Sequence, residues 1–87
     1  MKEPKDVTIL IADDEEDLKK ALVFEFSRKG YKMLDASNGV EALNMVRDAK
    51  NGKVDIIITD IRMPNGDGIG LLDAVRREDP GLPVLIF

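Results

Sequence analysis

At 87 residues, with 44% hydrophobic and 34% charged side chains, the chain is expected to form at most one soluble globular domain, below the usual size of roughly 100–150 residues and with a thin core. A net charge of −4 argues against a general nucleic-acid binder, because Lys19-Lys20, Arg28-Lys29 and Arg76-Arg77 are pairs and not a basic patch. With no cysteine and no histidine there is no disulfide framework, no thiolate chemistry, no zinc site of the usual kind and no imidazole base, so any chemistry here runs on carboxylates.

Residues 1–6, Met1-Lys2-Glu3-Pro4-Lys5-Asp6, read as a polar N-terminal tail with no apolar segment of the signal-peptide kind behind it. The folded domain is expected over 7–87. No apolar stretch exceeds strand length, which argues against a membrane span and makes a cytoplasmic location the default. Val7-Thr8-Ile9-Leu10-Ile11-Ala12 is the first strand, apolar and rich in β-branched residues. Asp13 and Asp14 follow it. Glu15, Glu16 and Asp17 are read as solvated acids of a helix first turn, where they complement the helix dipole. Leu18, Ala21, Leu22 and Phe26 recur at helical spacing, so the Leu18/Leu22/Phe26 stripe is read as core, and Gly30 stops that helix. Tyr31 to Ala36 is a short second strand. Ser37 or Asn38 caps a second helix with Val40, Leu43, Val46 and Ala42 inward, ending near Asn51-Gly52. Val54-Asp55-Ile56-Ile57-Ile58-Thr59 is the third strand and Asp60 follows it. The segment from Asp60 to Gly68 is a loop broken by Pro64, Gly66 and Gly68. Ile69, Leu71, Leu72 and Val75 mark a third helix that stops before Pro80-Gly81, and Leu82 to Phe87 begins a fourth strand.

Strands alternating with helices in this order predict an α/β domain, a doubly wound parallel sheet in strand order 2-1-3-4. In such sheets ligands bind just beyond the carboxyl ends of the strands, and here strands one and three would bring Asp13, Asp14 and Asp60 together. Like charges converging at that edge repel one another unless a cation neutralises them. A hard divalent metal is the first expectation and a reactive carboxylate the second. Taken alone, Asp13-Asp14 also fits the commoner role of helix N-cap and first-turn acid, and Asp60 that of a turn residue. Asn65-Gly66-Asp67-Gly68 lacks the acidic spacing and terminal Glu of a calcium loop.

Asp13-Asp14 after strand one, Asn38-Gly39-Val40-Glu41-Ala42-Leu43 after strand two, and the run Asp60-Ile61-Arg62-Met63-Pro64-Asn65-Gly66-Asp67-Gly68 after strand three occur together and in order. Together they resemble the receiver domain of bacterial two-component response regulators, a flavodoxin-like fold of the chemotaxis-regulator kind. The resemblance implies that Asp60 is the phosphoacceptor. It also implies that Asp13, Asp14, Asp60 and the backbone carbonyl of Arg62 hold Mg²⁺. The partner would be a sensor histidine kinase or a phosphotransfer protein, with the histidine supplied by that partner. Enzymatic activity would extend at most to self-phosphorylation and dephosphorylation, and no nucleic acid or membrane would be bound within this chain. A phosphohydrolase using the same Asp and Mg²⁺ would need a second acid/base two residues after Asp60, where Arg62 stands.

The family pattern continues past a fourth strand with a Ser or Thr, a further helix, a fifth strand followed by a Lys, and a last helix. This sequence stops at Phe87, so a receiver truncated after strand four is expected, without the fifth strand and the last two helices. Val84, Leu85, Ile86 and Phe87 would then form an exposed apolar edge open to pairing with a second copy, giving a homo-oligomer. The alternative function is a non-switching interaction module or fragment that self-associates through that edge.

Overall fold

The computed structural model describes residues 3–62 and 68–87. Four strands, β1 (Thr8–Ala12), β2 (Lys32–Ala36), β3 (Ile56–Thr59) and β4 (Val84–Ile86), alternate with three helices, α1 (Glu16–Arg28), α2 (Gly39–Arg47) and α3 (Gly68–Glu78). All strand pairs are parallel and the order is β2-β1-β3-β4, as the alternating pattern predicts. Among the described residues no helix is long and apolar enough to cross a membrane.

Every residue of β1 is buried, because a central parallel strand is covered on both faces. Register assigns those faces. Leu10 lies opposite Ile57 and Ile11 opposite Ile58, so Leu10 and Ile57 share one face and Ile11 and Ile58 the other. On the first face Leu10, Ala12 and Ile57 pack with Ala42 of α2 and with Leu71 and Val75 of α3. On the second, Ile58 and Leu85 meet Leu18, Leu22 and Phe26 of α1 around an open apolar groove of about 500 Å³ that Ile86 and Phe87 also line. The α1 stripe is therefore not core: Leu18 is 39% exposed, and Leu22 and Phe26 are only half-buried. Helical periodicity identifies the apolar side of α1 correctly, but the neighbours on that side cover it only in part.

Local signals set the helix ends. Gly30 turns the chain out of α1 at φ 97°, beyond the reach of most side chains, and Tyr31 then packs edge-on against Phe26 at 5.9 Å. Asn38 caps α2, its Oδ1 accepting from Glu41 N at 2.8 Å. Within α2 the inward face is Ala42 with Leu43, Met45 and Val46, whereas Val40 is 56% exposed. Val40 stands off the arc that Ala42 and Val46 define one turn apart. Ile69, at the equivalent early position of α3, is exposed for the same reason. The Arg47 guanidinium at the end of α2 grips the Glu78 carboxylate at the end of α3 through both of its oxygens.

Two outcomes follow for stability. In denaturant titrations Leu71→Ala should cost about 2–5 kcal/mol, as a fully buried apolar truncation does, whereas exposed Val40→Ala should stay within about 0.5 kcal/mol. The Arg47 hydrogen bond holds the Glu78 carboxyl below its usual 4.5. A carboxyl lowered in the folded state adds stability that is present above the unfolded value and lost as pH falls through the folded one. Glu78→Gln should therefore flatten the loss of thermal stability below pH 4.5, and an unchanged acid limb would show that the pair contributes nothing there.

Candidate functional site

The parallel register builds the site. Ala12 is paired with Thr59, so the next residues, Asp13 and Asp60, leave the sheet side by side at its carboxyl edge. The ladder continues one residue further, with Asp13 N donating to Ala36 O and Asp60 N to Ala12 O, both at 3.0 Å. Asp14 follows on the loop into α1. One carboxylate oxygen from each of Asp13, Asp14 and Asp60 lies within 4.8 Å of the others. All three predicted carboxylates are thus brought together.

Their surroundings differ. Asp13 is 1% exposed, Asp60 is half-buried and Asp14 is exposed. Asp13 Oδ1 accepts from Glu15 N at 2.9 Å, which spends one oxygen on opening α1. Asp13 Oδ2 is buried and, among the described residues, has no hydrogen-bond partner. A buried charged oxygen without a partner is costly, and native structures rarely leave one unless an ion, water or ligand completes it. The donor set consists of carboxylate oxygens alone, the chemistry that hard cations such as Mg²⁺ prefer. The residues therefore fit a divalent metal.

Asp60 is held from several directions. Its Oδ1 accepts from Arg62 N at 3.1 Å, so the main chain of Arg62, whose carbonyl is the fourth expected metal ligand, belongs to the same turn. Fully buried Thr59 donates its hydroxyl to the Asp60 carbonyl at 2.9 Å. Gly68 N donates to Ile61 O at 3.0 Å, and a Cβ at Gly68 would stand 2.4 Å from Asp60 O and 2.7 Å from Ile61 Cα. Gly68 is needed for this close approach of the α3 N-terminus to the Asp60 backbone as well as for the turn that its sequence position suggests. The loop roles expected of Met63, Pro64, Asn65, Gly66 and Asp67 lie outside the described residues.

Next to the acidic cluster stands a feature the sequence did not disclose. Lys19, noted in the sequence only as half of a basic pair, is 3% exposed, and its ammonium donates to Glu16 Oε1 and to Ser37 Oγ, both at 2.8 Å. Glu16, expected to be merely solvated, is held below the usual carboxylate value by the hydrogen bonds from Lys19 and Ser37. The only hint in the sequence is the three-residue spacing of Glu16 and Lys19, which alone suggests an ordinary surface pair.

Gly68→Ala should force the Asp60–Ile61 backbone or α3 to move. About 1–3 kcal/mol of stability should be lost in denaturant titrations, with the Asp60 and Ile61 amide resonances displaced; a silent substitution would contradict the close approach.

Comparison with known proteins places this geometry. Residues 9–87 match the model of the response regulator receiver domain family. The transcriptional regulatory protein GlrR of Escherichia coli is 34% identical over 83 residues, covering 95% of this chain and 18% of that protein. The non-phosphorylated HemR receiver domain of Leptospira biflexa superposes with a TM-score of 0.83 at 28% identity, covering 92% of this chain and 62% of that one. A chain of the CheX–CheY–BeF3–Mg²⁺ complex of Borrelia burgdorferi gives 0.84 at 30% identity, covering 93% and 60%. The chain thus spans less than a fifth of that regulator and about three fifths of these solved chains.

Proposed function

The chain belongs to the response regulator receiver domain family of two-component signalling, and from that premise we propose that it accepts a phosphoryl group on Asp60 from the phosphohistidine of a sensor kinase or phosphotransfer protein, in the cytoplasm. The observation that carries this reading is the convergence of Asp13, Asp14 and Asp60 at the sheet edge, with one buried Asp13 oxygen that has no hydrogen-bond partner among the described residues.

The chemistry follows from the side chains. The Arg62 N–H fixes the Asp60 carboxylate through Oδ1, and among the described residues Oδ2 takes no hydrogen bond, which leaves it to attack. Attack forms an Oδ–P bond as the P–N bond to the partner's imidazole breaks; the departing nitrogen keeps the electron pair and takes up a proton. The product is an acyl phosphate on Asp60. Asp13, Asp14, Asp60 and the Arg62 carbonyl are the residues that would hold Mg²⁺. Bound there, the ion supplies positive charge that offsets the repulsion between the carboxylates and an incoming phosphoryl group. Asp13 is positioned by the β1 ladder, and Asp14 faces solvent, from which a donor arrives. These 87 residues contain no histidine.

Intact mass after incubation with a small-molecule phosphodonor tests the reading. The expected result is a gain of one phosphoryl group that requires Mg²⁺ and is lost completely in Asp60→Asn. No gain in a folded sample, or a gain that Asp60→Asn retains, would contradict it.

A further inference from the structure

Asp13 and Lys19 are the two charged side chains among the buried residues of the described chain, and both lie at the β1–α1 end of the sheet. The Lys19 ammonium meets three groups: Glu16 Oε1 at 2.8 Å, Ser37 Oγ at 2.8 Å and Asp35 Oδ1 at 3.9 Å. Ser37 also donates its hydroxyl to Glu16 Oε1 at 3.0 Å, closing a triangle between the first turn of α1 and the end of β2. Ser37 N in turn reaches Glu41 Oε1 of α2 at 3.4 Å. An apolar side chain of similar length would fill this space without the desolvation cost of a buried ammonium. What the ammonium adds is direction, since it ties α1 to the β2–α2 junction at a defined point.

That tie brackets Asp14. On one side Asp13 is held by its ladder bond to Ala36 and by Glu15 N. On the other, Glu16 is held by Lys19 and Ser37. Only Asp14 and Glu15 lie between, and the Asp14 side chain makes no hydrogen bond of its own among the described residues. A ligand with no partner of its own is placed by whatever fixes its flanks, and outer contacts of this kind tune metal affinity.

We propose that Lys19, through Glu16 and Ser37, is a positioning residue for Asp14, and that the Lys19–Glu16–Ser37 triangle preorganises the acidic cluster for its cation. This rests on the metal reading of Asp13, Asp14 and Asp60 given above. It differs from a charge effect in sign. A lysine acting only through its charge opposes cation binding, so its removal would tighten binding. A lysine acting by positioning weakens binding when removed.

The test is a Mg²⁺ titration of the full chain followed by amide NMR, for wild type, Lys19→Met and Ser37→Ala, with thermal unfolding of each in the absence of the cation. Lys19→Met should weaken Mg²⁺ affinity about tenfold and broaden the Asp14 and Glu15 amides. Ser37→Ala, which changes no charge and removes one hydroxyl, should weaken it in the same direction and keeps the test alive if Lys19→Met does not fold. Unchanged affinity with a lowered melting temperature would reduce the triangle to a structural brace, and tighter binding by Lys19→Met would reveal a charge effect; either result overturns the inference while leaving the metal reading intact. A wild-type chain that binds no Mg²⁺ overturns both.

Discussion

The pairing of β1 with β3 in parallel register is the constraint on which the rest of the molecule depends. It places Ala12 opposite Thr59, so that Asp13 and Asp60 emerge side by side. The same register makes β1 fully buried, and hence makes Asp13 a carboxylate at the end of a dry strand. Burial of a charge is unfavourable in proportion to how poorly it is paired, and among the described residues one Asp13 oxygen has no partner. The far end of the same strand pair is secured differently, with Thr8 N donating to the Asp55 carboxylate at 2.8 Å and Asp55 N to Thr8 O at 2.9 Å. Acidic residues thus close the β1–β3 ladder at both ends, one by hydrogen bonding to the main chain and the other by gathering carboxylates.

Holding carboxylates together requires the surrounding chain to be stiff. Three devices supply this around the site: the Arg62 N–H on Asp60, the bare backbone of Gly68 against Asp60 and Ile61, and the Lys19–Glu16–Ser37 triangle beside Asp14. Each replaces solvent reorganisation by fixed geometry, which the proposed binding of a small hard cation would draw on. Stability comes chiefly from the opposite face, where Leu10, Ile57, Leu71 and Val75 are packed out of contact with water. The α1 face contributes less, since Leu18, Leu22 and Phe26 border an open groove.

The strands, their order and the three carboxylates were legible because they rest on strong local signals: β-branched apolar runs, and acids placed immediately after them. The stop at Gly30 was legible for the same reason, and the cap of α2 was narrowed to Ser37 or Asn38, of which the structure uses Asn38. What periodicity could not convey was coverage. It marked Leu18, Leu22 and Phe26 as one apolar stripe but not that the stripe lines an open groove, and it admitted Val40 and Ile69 to inward faces although both stand off the buried arcs of their helices. Lys19 was invisible because composition assigns lysine to solvent; only the tertiary approach of Ser37 to α1 makes its burial tolerable.

A divalent cation is proposed to complete Asp13, whose buried Oδ2 has no hydrogen-bond partner among the described residues. Thermal unfolding of the wild type and Asp13→Asn, each with and without millimolar Mg²⁺, tests it most directly. Mg²⁺ should raise the melting temperature of the wild type, and Asp13→Asn should melt higher than the wild type without the cation and not respond to it. A wild type indifferent to Mg²⁺, or an Asp13→Asn chain that responds equally, would contradict it.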